Sequence, residues 1–319
     1  MHGLPASLPI IPLASFPTAV EELPNLREAL STSGHAIPRL LIKRDDTIGF
    51  AFGGNKVRKL QLVAADAREH DADTLITSGG VQSNHARVTA ATAAKLGMKC
   101  LLVANGVAPK RPTANALLDR LLGAEIRYVA DRSLRAPAVN AAAEELRMQG
   151  RTPYVIPIGA STPLGAAGFV QAVFELLQQI EPPDVIVHST SSGGTQAGLI
   201  AGCAIAGVRT RVIGVSADEP STTLERDIRA ILDGLEPLLD LEAGSFASPR
   251  CSSMTHTSAA GMASRPARPR RRSTCSPVMR LSSWIRPTRR KRWQHSSRDA
   301  GAESSPTSAP CFSGTQAAR

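Results

Sequence analysis

A lysine that opens a helical segment is the residue of this chain best placed for chemistry. Lys56 lies in the sequence GGNKVRKL (residues 53–60), where two glycines and an asparagine lead into helical apolar spacing. We predict that Asn55 caps this helix by accepting from the free amides of its first turn. The positive end of a helix dipole disfavours a protonated amine, so the position favours the free amine that Schiff-base chemistry requires. Taken alone, the motif is far more typical of an exposed lysine that opens a surface helix.

Two further motifs combine glycines with short polar side chains. SGGVQSNHAR spans residues 78–87, and SSGGTQAG spans residues 191–198. The second motif joins a strand-like segment to a helical one, where glycines allow backbone amides to converge on an anion at a helix N-terminus. It lacks the ending of a P-loop and the spacing of a dinucleotide-binding turn. Taken singly, the first motif is more typical of a helix cap, and the second is equally typical of a tight turn.

Helical and strand-like segments alternate from Lys56 to about residue 240. Strand-like runs of five to seven mostly apolar residues are separated by helical runs of 11–18 residues, which is typical of parallel sheets covered on both faces. An earlier strand is predicted at residues 39–46. In the first of these helices, the predicted apolar side consists of Val57, Leu60, Leu62 and Val63. The predicted outer side consists of Arg58, Lys59 and Gln61.

The three motifs become specific when they are taken together. In this order they resemble the pyridoxal-phosphate enzymes of the tryptophan-synthase-β fold (fold type II), and more narrowly the 1-aminocyclopropane-1-carboxylate deaminase/D-cysteine desulfhydrase family. The resemblance extends from about residue 42 to residue 217. It implies an α/β fold with two parallel-sheet domains and the cofactor between them. The implied large domain comprises residues 1–51 and 161–244, and the small domain comprises residues 52–160.

The resemblance also implies a role for each motif residue. Lys56 would bind pyridoxal 5'-phosphate covalently and later move protons at the substrate carbon. Ser83 would act beside the substrate, and Asn84 would bind the ring hydroxyl of the cofactor and contact the substrate. The residues assigned to the cofactor phosphate are Ser192, Gly193, Gly194 and Thr195. The other substrate contacts are assigned to His85 and to Ser161, whose loop is similar to one that meets the substrate carboxylate.

The family resemblance favours a lyase that acts on a small amino acid. His85 follows Asn84 where deaminases of the family usually have glutamine and desulfhydrases have histidine. This favours conversion of D-cysteine to pyruvate, ammonia and sulfide, although a surface histidine would give the same sequence. Deamination of 1-aminocyclopropane-1-carboxylate and L-cysteate sulfo-lyase activity remain open alternatives. The resemblance further implies homodimers or larger homo-oligomers.

The composition argues against several other classes of protein. The 319 residues contain no apolar run long enough to span a membrane, and the N-terminal residues do not resemble a signal peptide. We therefore expect a cytoplasmic protein with no membrane partner. The five cysteines lack metal-ligand spacing, so neither a disulfide framework nor a metal site is indicated. Cys100 and Cys203 lie in apolar segments and are predicted to be core residues.

The formal net charge of +10 belongs to the C-terminal part of the chain. Residues 248–319 contain 14 basic and two acidic residues, whereas residues 1–247 contain 23 basic and 25 acidic residues. A tail that binds nucleic acid is one interpretation, since basic side chains neutralise phosphates. The tail has few aromatic residues for stacking and no recognisable binding module, so the sequence favours no nucleic-acid partner.

Residues 245–319 form an aberrant segment that is rich in Arg, Ser and Pro and has no helical or strand period. At face value it is a disordered basic tail. Read one base earlier, however, the codons permitted by residues 253–266 can encode Asp-Asp-Thr-Tyr-Val-Gly-Gly-Gly-Tyr-Gly-Ile-Pro-Thr. That sequence resembles a family segment with a cofactor-facing tyrosine, and segments starting at Cys275 and Cys311 resemble family sequences in the same frame. We hypothesise a frameshift between Glu242 and Met254, which would leave an impaired lyase or an inactive remnant.

Overall fold

The N-terminal part contributes a small antiparallel pair of strands. The computed structural model describes residues 8–31, 34, 36–217 and 219–247, together with the backbone of residues 255–258. Strand β1 (Val20–Glu22) pairs with β2 (Leu41–Lys43), and helix α1 (Pro24–Ser31) lies between them in sequence. The strand predicted at residues 39–46 is confirmed at its centre. Strand β1 and helix α1 were not predicted, because both are short and have little apolar pattern.

Four parallel strands form the first sheet, in the order β5-β4-β3-β6. Its strands are β3 (Thr74–Gly80), β4 (Lys99–Asn105), β5 (Glu125–Val129) and β6 (Pro153–Val155). The helices that alternate with them are α2 (Lys56–Glu69), α3 (Asn84–Leu96), α4 (Ala114–Leu121) and α5 (Arg135–Met148). In this register Leu75 lies opposite Cys100 on one side and Tyr154 on the other. The predicted alternation of strand and helix is confirmed.

Three parallel strands form the second sheet, in the order β7-β8-β9. Its strands are β7 (Val185–Thr190), β8 (Arg211–Ser216) and β9 (Thr255–Ser258). Its helices are α6 (Pro163–Leu177), α7 (Gly194–Ile205) and α8 (Ser221–Leu238). Strand β9 lies in the segment that was predicted to have no strand, because strand pairing uses backbone groups and does not require a side-chain pattern. Residues 259–319, and with them most of the frameshift hypothesis, lie outside the described residues.

The two sheets differ in how they are covered. Strands β3 and β4 are buried on both faces, as predicted. On the second sheet, Val185, Val187 and Val215 are exposed, whereas the alternate side chains point into the protein. The prediction of cover on both faces was therefore wrong for this sheet, because no described element packs over these three valines.

Over residues 57–65, helix α2 is buried on all sides rather than along one stripe, whereas Arg68 and Glu69 in its last turn are exposed. Its residue Leu62 belongs to the core that α6, α7 and α8 share, whereas Val57, Leu60 and Val63 belong to the core under the first sheet. The predicted outer side was wrong, since the buried polar residues of the protein include Arg58, Lys59 and Gln61. A helix between two cores has no face left for solvent.

Cys100 and Cys203 are buried free thiols, which confirms them as core residues. Among the residues that the structure describes, no helix is both long and apolar enough to cross a membrane. Within the same residues, no group of histidine, cysteine and acidic side chains could hold a metal ion. The boundaries between a small and a large domain stay a prediction.

Candidate active site

Lys56 is the first residue of α2 and follows a tight glycine turn. Gly53 in this turn has a φ of +71°, and a Cβ there would lie 2.3 Å from the carbonyl oxygen of Asp46. The side chain of Lys56 is half-buried and makes no hydrogen bond to any described residue. Burial lowers the pKa of Lys56 to about 8. Burial thus shifts Lys56 in the direction of the free amine that was expected from the sequence.

Asn55 joins the lysine motif to the glycine-rich motif. Its side chain was predicted to cap α2, but it makes no capping hydrogen bond and its backbone is already helical. Instead its Nδ2 donates to Oγ1 of Thr195 over 3.1 Å. The capping prediction was therefore wrong, because Asn55 lacks the extended backbone of a cap residue and its carboxamide is directed towards a partner 140 residues away.

The glycine-rich motif forms a loop at the N-terminus of α7. Gly193 takes a left-handed conformation with a φ of +74°, and Gly194 begins the helix. The amide of Gly194 donates to Oγ of Ser161 over 3.3 Å, and that hydroxyl shares a 2.7 Å hydrogen bond with Ser192. Ser161, which was assigned to the substrate, thus lies against the loop assigned to the phosphate. Such a loop can bind an anion through its amides and hydroxyls.

Lys59 is a site residue that the sequence interpretation missed. Its side chain is fully buried, and its Nζ donates to the carbonyl of Gly159 over 3.2 Å and to Ser161 Oγ over 3.4 Å. A Cβ on Gly194 would lie 2.7 Å from this Nζ, so the amine lies directly beside the loop. Burial, and then the charge of Lys56, hold the pKa of Lys59 well below its usual range. The spacing of three residues from Lys56 was the available signal, because residues at that spacing share a helix face.

Ser83 and Asn84 begin helix α3 at the carboxyl end of β3. Ser83 is the N-cap, and its Oγ accepts from the amide of Ala86 over 3.2 Å. Within the described residues its hydroxyl proton has no acceptor, so it stays available to a ligand. Asn84 is exposed, and its Oδ1 accepts from Nδ2 of Asn115 over 2.9 Å. The cap interpretation of Ser83 is confirmed, and its role beside a substrate stays a prediction.

His85 lies in the protein interior, with 3% of its surface exposed. The alternative of a surface histidine was therefore wrong. Its Nε2 lies 2.8 Å from Oγ1 of Thr77, which in turn donates to the carbonyl of Ile156 over 2.7 Å. Burial, followed by the charges of the two lysines of α2, holds the pKa of His85 well below its usual range. The ring thus contacts Thr77 in the interior, and a direct contact between His85 and a substrate stays a prediction.

The family assignment follows from comparison with known proteins. The family described as "Pyridoxal-phosphate dependent enzyme" matches residues 11–259, which is most of the chain. This chain belongs to that family. The lysine motif, the α3 motif and the glycine-rich loop of this pyridoxal-phosphate enzyme all lie within the matched residues.

Curated relatives place the enzyme in the 1-aminocyclopropane-1-carboxylate deaminase/D-cysteine desulfhydrase family. It is 36% identical over 247 residues to a putative 1-aminocyclopropane-1-carboxylate deaminase of Pyrococcus abyssi, covering 76% of this chain and 72% of the relative. It is 37% identical over 243 residues to a D-cysteine desulfhydrase of Klebsiella pneumoniae, covering 74% and 72%. A 1-aminocyclopropane-1-carboxylate deaminase of Bradyrhizobium is 39% identical over 246 residues, covering 72% and 70%.

Solved structures confirm the fold class. A crystal structure of an ACC deaminase homologue superposes with a TM-score of 0.70 at 35% identity, covering 76% of this chain and 74% of that chain. A pyridoxal 5'-phosphate-dependent aspartate racemase superposes with a TM-score of 0.51 at 22% identity, covering 66% and 59%, and so shares the fold alone. The enzyme thus has the α/β architecture of fold type II, as the motifs indicated.

The residues present fit pyridoxal phosphate. Lys56 offers an amine with a lowered pKa for the aldehyde. The loop that begins α7 offers amides and hydroxyls for the phosphate, and buried Lys59 lies beside it. The hydrogen bond from Asn55 to Thr195 joins the turn that precedes Lys56 to the glycine-rich loop. Ser83 and Asn84 remain for the ring and the substrate.

Proposed function

We propose that this enzyme converts D-cysteine and water to pyruvate, ammonia and hydrogen sulfide. The observation that carries the proposal is the half-buried amine of Lys56, whose pKa is lowered to about 8. The neighbouring residue Asn55 connects it by a hydrogen bond to a loop suited to binding an anion. The buried neutral imidazole of His85 supports the desulfhydrase over the deaminase, because the family resemblance associates histidine with sulfide release. A relative described as a D-cysteine desulfhydrase adds support.

Lys56 would carry the proton transfers of the reaction. Pyridoxal phosphate, when bound, supplies an aldehyde for the substrate amine and a ring that makes the Cα proton acidic. The amine of Lys56, once exchanged for the substrate amine, would remove that proton. The electron pair of the broken Cα–H bond forms a Cα–Cβ double bond as the Cβ–S bond breaks, and the sulfur leaves as sulfide. A proton would then add to Cβ as the double bond moves to Cα and nitrogen, and water would replace nitrogen at Cα, which gives pyruvate and ammonia.

Six polar groups would hold the phosphate and the substrate. Ser192, Gly193, Gly194 and Thr195 would bind the phosphate through amides and hydroxyls, and we add Lys59 as a cationic partner. A dianion beside Lys59 would raise the pKa of this lysine again, so that the amine becomes protonated when the phosphate binds. Ser161 lies between this loop and the substrate space, where its hydroxyl could serve either group.

Ser83 and Asn84 would face the ring and the substrate from α3. The hydroxyl proton of Ser83 is free to donate to a substrate carboxylate or a leaving sulfur. The exposed carboxamide of Asn84 would donate to the ring oxygen of the cofactor. His85 would contribute indirectly. Because its buried ring stays neutral, it adds no positive charge near Lys56 and Lys59.

Deamination of 1-aminocyclopropane-1-carboxylate to 2-oxobutanoate is the second candidate. A relative described as that deaminase is 39% identical over 246 residues, slightly more than the desulfhydrase relative. The same Lys56 and phosphate loop would serve both reactions. Residues that contact the leaving group decide between them, and L-cysteate is a third substrate to include in any comparison.

Cofactor attachment is testable without turnover. The full chain is incubated with pyridoxal phosphate, reduced with borohydride and digested, and the modified peptide is identified by mass spectrometry. We expect the label on Lys56 and its loss in Lys56→Ala, while Lys110→Ala, which changes an exposed lysine, keeps the label. A label on another lysine, or none, contradicts the proposed site.

Substrate choice needs separate assays on the same preparation. Sulfide release is measured with D-cysteine, 2-oxobutanoate with 1-aminocyclopropane-1-carboxylate, and sulfite with L-cysteate. We expect sulfide to exceed the other two products and to disappear in Lys56→Ala. Formation of 2-oxobutanoate without sulfide would establish the second candidate instead.

A further inference from the structure

Arg87 is a buried cation without an ion-pair partner. The residue is 7% exposed, and the part of the chain that the structure describes offers it no salt bridge. Asp119 lies close enough to interact electrostatically, but burial raises the pKa of this carboxyl to about 7 and its Oδ1 has no partner. A buried charge is costly unless hydrogen bonds compensate it. Arg87 is therefore held by hydrogen bonds to neutral oxygen atoms.

One hydrogen bond ties Arg87 to the turn that carries Lys56. Its Nη2 donates to the carbonyl of Gly53 over 2.8 Å. A Cβ on Gly54 would lie 3.8 Å from the same nitrogen, so the guanidinium lies against the turn. Because a guanidinium can only donate hydrogen bonds, the group that faces its other terminal nitrogen must be an acceptor.

That acceptor is the side chain of Asn115, the second residue of α4. Nη1 of Arg87 donates to Oδ1 of Asn115 over 3.1 Å. The amide nitrogen Nδ2 of Asn115 is thereby turned the other way, where it donates to the carbonyl of Gln82 and to Oδ1 of Asn84, both over 2.9 Å. Reversal of this carboxamide would place its oxygen against two other oxygens and its nitrogen against a guanidinium.

The same logic fixes the carboxamide of Asn84. Because its Oδ1 is held by Asn115, its Nδ2 is the group left facing outward, and no described residue accepts from it. An outward N–H donor suits an anionic ring oxygen, whereas an outward carbonyl oxygen would repel one.

We propose that Arg87 and Asn115 are positioning residues that orient the Asn84 carboxamide so that its Nδ2 faces the cofactor ring oxygen. This inference rests on the proposed binding of pyridoxal phosphate beside Lys56. Arg87 supplies the fixed donor, and Asn115 transmits its direction over one side chain to Asn84. The hydrogen bond from Arg87 to Gly53 fixes these side chains relative to the turn that carries Lys56.

The test is Asn115→Asp, which keeps the size of the side chain. Aspartate still accepts from Arg87, but its second oxygen cannot donate to Asn84, so the Asn84 carboxamide turns over and presents its oxygen to the ring. We expect the affinity for pyridoxal phosphate, measured by titrating the visible absorbance of the bound cofactor, to fall about tenfold. Folding should not suffer, since an acidic residue in the first turn of a helix is favourable; the melting temperature checks this.

Asn140→Asp is the matched control, because Asn140 is exposed on α5 and the change in charge is the same. A second comparison uses Asn84→Ala with and without Asn115→Asp. If Asn115 acts through Asn84, the double variant binds the cofactor no more weakly than Asn84→Ala alone. Unchanged affinity in Asn115→Asp, or additive losses in the double variant, would overturn the inference while leaving the Lys56 site intact. No cofactor binding by the unaltered chain would overturn both proposals.

Discussion

Two lysines three residues apart on α2 lie in the protein interior, which is costly for charged groups. Lys56 is half-buried with a pKa of about 8, and Lys59 is fully buried with a pKa held well below its usual range by burial and by Lys56. Both downward shifts in pKa increase the neutral fraction of these amines in the cofactor-free protein relative to an exposed lysine at the same pH. Their cost is understandable if one amine reacts with an aldehyde and the other meets a phosphate.

Lys59→Met should separate these roles at the level of a single residue. Methionine fills a similar volume without a charge, so we expect the free protein to be more stable by roughly 1 kcal/mol, or about 2–4 °C in Tm. The unfolded chain binds the proton that folded Lys59 releases, so this part of the stability of the unaltered protein rises with pH up to the ordinary lysine pKa of 10.5. The variant should lose that pH dependence.

The same variant should bind pyridoxal phosphate about tenfold or more weakly, because a charge-assisted hydrogen bond is lost. Scanning fluorimetry with and without inorganic phosphate provides a simple readout, in which phosphate raises the Tm of the unaltered chain and not that of the variant. Lys110→Met, which alters an exposed lysine, is the control. A phosphate response that survives in Lys59→Met would exclude Lys59 from the phosphate site.

At the scale of elements, α2 is held in place by a buried ion-pair network centred on Arg58. Arg58 donates to both oxygens of Asp45 over 2.8 Å and to both oxygens of Glu175 over 2.8 and 3.0 Å. It also donates to Thr18 and lies 4.5 Å from the ring centre of Phe16. The network therefore connects α2 to the N-terminal segment and to α6, and so fixes the direction in which Lys56 points.

Arg58→Met should destabilise the protein by about 3 kcal/mol, because two part-buried carboxylates are left without their cation. Although burial alone would raise the pKa of Glu175, its bonds to Arg58 and Lys43 lower it to about 2. The stability from this carboxylate is present above its ordinary pKa of 4.5 and is lost as pH falls towards 2. Urea unfolding at several pH values should show that this loss is smaller in the variant.

Arg226→Met is the matched control for the network, because Arg226 pairs with Asp227 on the surface. We expect it to change the free energy of unfolding by less than about 1 kcal/mol. Equal destabilisation by the two variants would show that the Arg58 network does not fix α2.

At the scale of the whole molecule, the second sheet has an open apolar face. Val187 is 65% exposed, and Val185 and Val215 are 44% and 39% exposed on the same two adjacent strands. A frameshift would explain why this face is open. The residues after about position 254 would then differ from the original sequence that packed against these strands. The hypothesis itself concerns residues that lie outside the described structure.

Sequencing the gene from codon 240 through codon 266 from fresh genomic DNA tests this directly. We expect the bases to encode Asp-Asp-Thr-Tyr-Val-Gly-Gly-Gly-Tyr-Gly in the neighbouring frame, and the hypothesis fails if they do not. The protein made from the restored frame should then release sulfide from D-cysteine at least about a hundredfold faster than the chain as written. Both proteins should take up label on Lys56, since that residue precedes the altered segment.

The sequence by itself determined the family and the alternation of strands and helices, and it singled out the lysine that we propose as the cofactor's attachment point. These features depend on local patterns, namely apolar periodicity, glycine turns and three motifs in a fixed order, and such patterns need no knowledge of distant contacts. The helix cap that was the alternative interpretation of the second motif is present at Ser83, where the partner is only three residues away.

Only the tertiary structure decided which polar groups are buried and which partners they find. Asn55 was expected to cap its own helix but binds Thr195, and Lys59 was expected at the surface but lies beside Gly194. A helix that lies between two cores loses its solvent face, and no periodicity within that helix reveals this. The direction of the Asn84 carboxamide likewise depends on Arg87 and Asn115, because hydrogen-bond donors and acceptors are matched in space rather than along the chain.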